Sequence, residues 1–355
     1  MTRKLATVRT IAEIMPIDGA DLIESVRVDG WWVVAKKDEF AVGDSAVYIE
    51  IDSWVPEALA PFLSKGSTPK EYEGVAGNRL RTIKLRGQVS QGLLLPLYGY
   101  APTAAACQAF HDTRVVAKDD DDTFDVTELL GIQKYDPPIP TCLSGIVKGK
   151  FPSFIRKTDQ ERIQNCFNKV QPLFDEEWVT EEKLDGSSMT VAYNDGEIYV
   201  CSRNLSLKID DNEGNSFIAM AKMSNVMNAL ARYGRNLAVS GELIGPGIQG
   251  NKYNRERHTW HIFDMLDIDT QKYVDYKERI SIFRGLALSN DARLIPQIAA
   301  GPLTAHVMKS LVPLADGRST LGVKTAREGL VFKNVNDPDI SFKVISNKFL
   351  MKYEE

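Results

Sequence analysis

The chain has little of what staples or metallates a fold. It holds four cysteines and four histidines in 355 residues. The cysteines (Cys107, Cys142, Cys166 and Cys201) lie far apart with no Cys-x-x-Cys pair, which argues against a structural zinc site and a disulfide framework. No apolar run approaches the roughly 18–20 residues that span a bilayer. Met1-Thr2-Arg3-Lys4-Leu5 lacks the apolar core of a secretory signal. The expectation is a cytoplasmic protein with reduced thiols and no membrane contact. Internal repeats and low-complexity tracts are also missing. So is any surplus of positive charge, the formal net charge being −5. That balance still permits a nucleic-acid partner, because phosphate binding needs local rather than global charge. Arg79, Arg81, Lys84 and Arg86 fall within eight residues with no acid among them. They are the candidate nucleic-acid contacts, with a solvated face that binds nothing as the alternative. A second basic stretch, Lys148, Lys150, Arg156 and Lys157, is closely followed by Asp159 and Glu161.

What is present divides into two parts. Hydrophobic content of 43% and charged content of 26% are those of an ordinary soluble protein, and the length allows two domains with a core each. Residues 1 to about 100 read as β-structure: 21–28 mostly alternates polar and apolar, 31–35 is aromatic and β-branched, and Gly43-Asp44 turns into 45–51. The segment 79–97 adds two strands around Gly87 and Gly92. Five short strands match the size of an OB-type barrel, although a generic small β-domain fits the pattern nearly as well. Beyond it, 104–106 could start a helical turn. The aspartates at 119–122 and the Pro137-Pro138-Ile139-Pro140 cluster mark a surface loop and a linker. The predicted division is a barrel over 1–130, a linker over 131–147 and a second domain over 148–355. There a helix is predicted over 158–165, capped by Thr158 or Asp159, with further helices over 217–233 and 276–288. Strands are predicted over 178–183, 188–193, 197–202, 237–243, 260–266, 329–333 and 339–344.

The chemistry lies in four short runs: Glu182-Lys183-Leu184-Asp185-Gly186, Ser240-Gly241-Glu242, Glu328-Gly329-Leu330-Val331-Phe332-Lys333, and Ser341-Phe342-Lys343. Each alone reads as a surface side chain or strand-end acid. Together, in order and on predicted strands, they suit a lysine that attacks phosphorus. Such an amine must be neutral, and its ordinary pKa is about 10.4, so a nearby cation or desolvation is expected to lower it. Asp185 would project on the same side as Lys183 if the strand continues, and Gly186 would permit the turn. Glu242 and Glu328 sit where water-mediated magnesium ligands would be placed. Lys333 and Lys343 would reach phosphate oxygens as point charges.

This ordered set resembles the covalent nucleotidyltransferases, the superfamily of polynucleotide ligases and messenger-RNA capping enzymes. The segment from Phe151 to Asn165, upstream of the lysine, makes the chain most similar to ATP-dependent RNA ligases that seal nicks between a 3′-hydroxyl and a 5′-phosphate. The amino-terminal region resembles the OB domain that one RNA ligase family carries before its catalytic domain. The resemblance implies an α+β fold: an OB-type β-barrel, then an ATP-grasp-like adenylyltransferase domain of antiparallel sheets flanked by helices. It implies ATP with Mg2+ or Mn2+, a nicked RNA duplex as partner, and a monomer. Lys183 becomes the adenylylated nucleophile, passing AMP to RNA before sealing. The backbone at Glu182 would face the adenine edge and Phe263 would stack on the base. Arg203 and Glu242 would engage the ribose or metal-bound waters, with Asp185 and Glu328 also holding metal water. Lys343 would contact the α-phosphate, and Arg162 the triphosphate or the nick phosphate. The chain departs from the family pattern at Ile345, where a second lysine is expected; Lys348 is the candidate replacement. A DNA ligase, a capping-type guanylyltransferase, and a non-catalytic RNA-binding OB protein are the competing readings.

Overall fold

The computed structural model describes residues 4–64, 68–114, 124–135, 146–210, 214–322 and 324–353. The predicted acidic loop at 119–122, the proline cluster at 137–140 and Cys142 lie outside them. The chain divides into two compact units, one of residues 1–138 together with 351–355 and one running from Ile139 to Leu350.

The first unit is built from short antiparallel sheets. One has the order Leu93–Pro96, Ser45–Ile49, Ala6–Thr10, Phe124–Asp125. Another joins Glu13–Pro16, Ile23–Val28 and Trp31–Lys36, and a third joins Gln133–Lys134, Ser53–Pro56, Val75–Arg79 and Lys70–Tyr72. Alternation along these strands buries Val26, Val28, Trp31, Val33 and Tyr48 in one cluster and Val8, Val47, Ile49 and Leu95 in another. The predicted strands are present, with additional strands that their short, mixed-polarity sequences did not announce. The turn at 104–106 opens the helix Ala104–Arg114.

Two sheets carry the second unit. The larger runs Val147–Lys150, Leu205–Leu207, Glu197–Cys201, Ser187–Asn194, Leu237–Ile244, Thr259–Asp267, Lys272–Tyr273, with Ala292–Leu294 added beside Thr259–Asp267. Helices Ser216–Met223, Val226–Tyr233 and Tyr276–Leu286 cover one face through Ile218, Leu230 and Ile282, packed with Met189, Val191, Val239, Ile262 and Met265. The smaller sheet has the order Glu161–Arg162, Ser341–Ile345, Gly329–Asn334, Trp178–Lys183, Gln297–Gly301. Its outer face packs Trp178, Leu330, Phe332, Phe342 and Val344 against Ile163, Val170 and Leu311. The remaining faces carry Lys183, Lys333 and Glu242 of the site described below, and on the larger sheet also an apolar cluster of Ala192, Ala238 and Leu266.

Two predicted helices are corrected. The helix over 217–233 is two helices, because Asn225 takes a left-handed conformation (φ 59°) between them. The one over 158–165 starts only at Ile163, with Arg162 as an uncapped N-cap. Glu161 and Arg162 instead pair parallel with Phe342 and Lys343, which holds Thr158 and Asp159 outside the helix.

Candidate active site

Lys183 ends its strand, in register with Gly329. Strand alternation sends Glu181 and Lys183 to one face and Trp178, Thr180 and Glu182 to the other. On the first face opens a cleft bordered by Lys183, Glu242, Arg203, Phe263, Lys333 and Lys343 among others. Lys183 Nζ donates to Glu328 Oε1 at 2.6 Å. Gly186 N–H donates to Glu242 Oε1 at 2.9 Å. Gly186 is demanded by this closeness rather than by a left-handed turn: a Cβ there would lie 2.4 Å from the Leu243 carbonyl oxygen.

The expected lowering of the lysine pKa is not found. Desolvation pulls the ammonium down, but the carboxylates of Glu328, Glu242 and Asp185 outweigh it and hold the amine above its ordinary value. The acids are crowded in turn. Desolvation pushes Glu242 up to about 8, with Lys183 and the Gly186 N–H opposing and Glu328 and Asp185 reinforcing. Glu328 is raised by desolvation and by Asp185, against the pull of Lys183, and its buried Oε2 has no hydrogen-bond partner. This surplus of acid suits a divalent cation. Among the described residues no three His, Cys, Asp or Glu side chains converge as a direct metal site.

Asp185 differs from expectation. The strand stops at Lys183, so the two residues do not continue on one strand face. The Asp185 carboxylate is ion-paired with Lys252, and its N–H donates to Tyr253 Oη at 2.8 Å.

Opposite the lysine strand, Thr259–Asp267 carries a β-bulge. Ser240 pairs with Asp264 and Gly241 with Ile262, leaving Phe263 as the extra residue. Its ring borders the cleft and packs beside Leu184, Tyr253 and Ile295. Its carbonyl accepts from Lys333 Nζ at 2.5 Å and from the Arg279 guanidinium. Lys333 also reaches Asp264 at 2.6 Å and Glu181 at 3.1 Å, and Arg279 pairs with Glu181. Lys333 therefore borders the cleft with its ammonium held by protein acceptors, which corrects its expected reach to phosphate. Desolvation pushes Glu181 up, but Lys333 and Arg279 overcome it and hold the carboxyl below its usual range.

The other predicted residues are placed as follows. Glu182 N–H donates to the Pro296 carbonyl at 2.9 Å, while its carboxylate turns away and accepts from Thr320 N–H (2.9 Å) and Oγ1 (2.6 Å). Lys343 borders the cleft and lies 3.1 Å from Asp159. Arg162 is buried beside Lys343 in the parallel pair, outside the cleft lining. Ile345 is buried opposite Gly329. Lys348 does not replace a cleft lysine: it is 78% exposed, 3.4 Å from Asp316 and absent from the cleft wall, because its helix Asn347–Tyr353 begins after the strand has ended. In the first unit the basic stretch separates. Arg79 is ion-paired with Asp52 at 2.5 Å and lies over the Tyr135 ring, whereas Arg81, Lys84 and Arg86 are exposed. Lys84 belongs to a hairpin of Ile83–Leu85 and Gln88–Ser90. Sequence reasoning missed Lys252, Tyr253, Arg279 and Thr320, whose partners are distant in the chain and leave no local pattern.

A family model described as RNA ligase matches residues 176–353, and one described as an OB-fold domain matches residues 5–97. No curated protein sequence matches the chain. Among solved structures, an apo variant of the Naegleria gruberi RNA ligase is 41% identical, with a TM-score of 0.84 and 99% of each chain covered. A lysine-to-alanine variant of that ligase with ATP and Mn is 41% identical, with a TM-score of 0.82 and 99% of each chain covered. A lysine-to-methionine variant with AMP and Mn gives 41% and 0.84, again over 99% of each chain. With a cleft built around the Lys183 amine, a ligase-family match over the domain that holds it and an OB-fold domain before it, the chain belongs to the RNA ligase family.

Proposed function

We propose that this enzyme uses ATP to join 3′-hydroxyl and 5′-phosphate RNA ends at nicks in duplexes, through a lysyl-AMP on Lys183 and an RNA-adenylate. The observation that carries the reading is the Lys183 amine at the cleft, in contact with Glu328 and under the field of Glu242 and Asp185. The similar Naegleria ligase, solved with ATP and Mn and with AMP and Mn, supports the same ligands here.

Before attack the amine sheds a proton, and Glu328 Oε1 is the acceptor 2.6 Å away. The lysine nitrogen then bonds to the α-phosphorus as the bond to pyrophosphate breaks. A 5′-phosphate oxygen next displaces the lysine, and a 3′-hydroxyl displaces AMP. Three displacements replace one difficult condensation, and positioning and charge neutralisation supply most of the acceleration. Phe263 stacks on the base, the backbone at Glu182 borders its edge, and Arg203 and Glu242 face the ribose. Lys343 meets the α-phosphate, and Arg162 and Lys333 serve the nucleotide through their neighbours, Lys343 and Phe263. Mg2+ or Mn2+, held through water by Asp185, Glu242 and Glu328, would offset phosphate charge. Arg81, Lys84 and Arg86, with Arg79 behind them, form the duplex contact of the amino-terminal domain, whose strand Gln133–Lys134 pairs with Ser53–Pro56 and carries it past the expected boundary at 130. The enzyme works as a monomer in the cytoplasm; among the described residues no helix is long and apolar enough to cross a membrane.

The test is labelling with α-labelled ATP or GTP, then sealing of a duplex nick ending in ribose or deoxyribose. ATP-only labelling that Lys183→Ala abolishes, with preference for ribose, is expected. GTP labelling would indicate capping, and equal sealing of both ends would overturn the RNA preference.

A further inference from the structure

We propose that Arg279 is a positioning residue for the nucleotide base, acting through the bulge that carries Phe263. This rests on the reading of the cleft as a nucleotide site. A bulged residue loses its ladder partner, so its carbonyl needs another donor and its side chain is re-aimed. At Phe263 that donor is a pair of cations from different elements: Lys333 on the Gly329–Asn334 strand, and Arg279 on the helix Tyr276–Leu286. The helix is fixed at its start by Asp275, whose side chain accepts from Glu278 N–H, and the Tyr276 ring lies 5.5 Å from the Arg279 guanidinium.

Burial makes the arrangement stiff. Side-chain exposure is 4% for Arg279, 3% for Glu181 and 7% for both Lys333 and Asp264. Two cations and two carboxylates neutralise one another, and removing one leaves a buried charge without its counterpart. Lysine cannot replace the planar fork that spans Glu181 and the Phe263 carbonyl together. The guanidinium thus sets the tilt of a ring that borders the cleft, while Arg279 itself is absent from the cleft wall. Its influence on ligand is confined to the half of the site that holds the base.

Arg279→Lys and Arg279→Met are compared with the unaltered enzyme for binding of ATP and of inorganic tripolyphosphate, which has no base. Base–aromatic stacking contributes enough that loss of ring alignment should weaken ATP roughly tenfold, with tripolyphosphate binding unchanged. The apparent KM for ATP in Lys183 labelling should rise, with the saturated rate nearly preserved. Equal weakening of both ligands, or of neither, overturns the proposal. Should Arg279→Met fail to fold, Arg279→Lys is combined with Phe263→Ala. The lysine change should then weaken ATP no further than Phe263→Ala alone, and an additive loss overturns the coupling. An unaltered enzyme that binds tripolyphosphate but no ATP overturns the underlying nucleotide reading, a result distinct from failure of the Arg279 variants alone.

Discussion

The amine of Lys183 rests against a carboxylate, and the surrounding acids favour its charged form. Replacing Glu328 by Gln removes the nearest negative charge and should move the amine pKa downward. Competitive acetylation with acetic anhydride, read by mass spectrometry at Lys183, should show the reactive form appearing at lower pH in Glu328→Gln. An unchanged profile would contradict the electrostatic assignment. His261 provides a second residue-scale prediction. It is 2% exposed and in register with Glu242; Nε2 lies 3.1 Å from Thr259 Oγ1 and Nδ1 has no hydrogen-bond partner. Burial first, then Arg255 and Arg293, depress it from 6.5 to about 4. The unfolded chain therefore binds the proton more readily across that interval. The stability contribution is whole above about pH 6.5 and is lost as pH falls towards about 4, a change of about 3 kcal/mol at most. Denaturant titrations across this range should show a shallower acid loss in His261→Gln; an equally steep loss would contradict it.

At the scale of elements, the strand Gly329–Asn334 sits between the lysine strand and the Lys343 strand. A Cβ at Gly329 would lie 2.3 Å from the Val344 carbonyl oxygen and 3.1 Å from Ile345 Cα. Gly329→Ala should force the strands apart, costing about 1–3 kcal/mol and slowing Lys183 labelling. Thermal melting and labelling rates check this, and an unaltered melt with full labelling would contradict the packing. The strands that hold these residues were legible because their apolar alternation and flanking Gly and Asp are local. The ends of elements were legible only in part: the lysine strand stops at Lys183 as predicted, whereas the helix predicted over 158–165 starts only at Ile163 because Glu161 and Arg162 pair with Phe342 and Lys343. The bulge at Phe263 was invisible for a related reason. It is a mismatch between two strands, with donors from residues 279 and 333, and neither strand alone records it. The same holds for Lys252, which takes the Asp185 carboxylate from 67 residues away.

At the scale of the molecule, an acidic chain carries its exposed basic hairpin residues in the first unit and its reactive lysine in the second. Combined replacement of Arg81, Lys84 and Arg86 by Ala should weaken RNA binding at low salt and flatten the log–log salt slope by up to about 3. Labelling of Lys183 by ATP should be unaffected. A salt slope equal to that of the unaltered enzyme would remove the hairpin from the RNA contact. The most direct measurement is mass spectrometry of the protein after incubation with ATP and Mg2+, with peptide mapping of any adduct. One AMP is expected on Lys183, released by added pyrophosphate and transferred to RNA bearing a 5′-phosphate. AMP found on a different residue, or RNA sealed while Lys183 never carries it, would contradict Lys183 as the nucleophile.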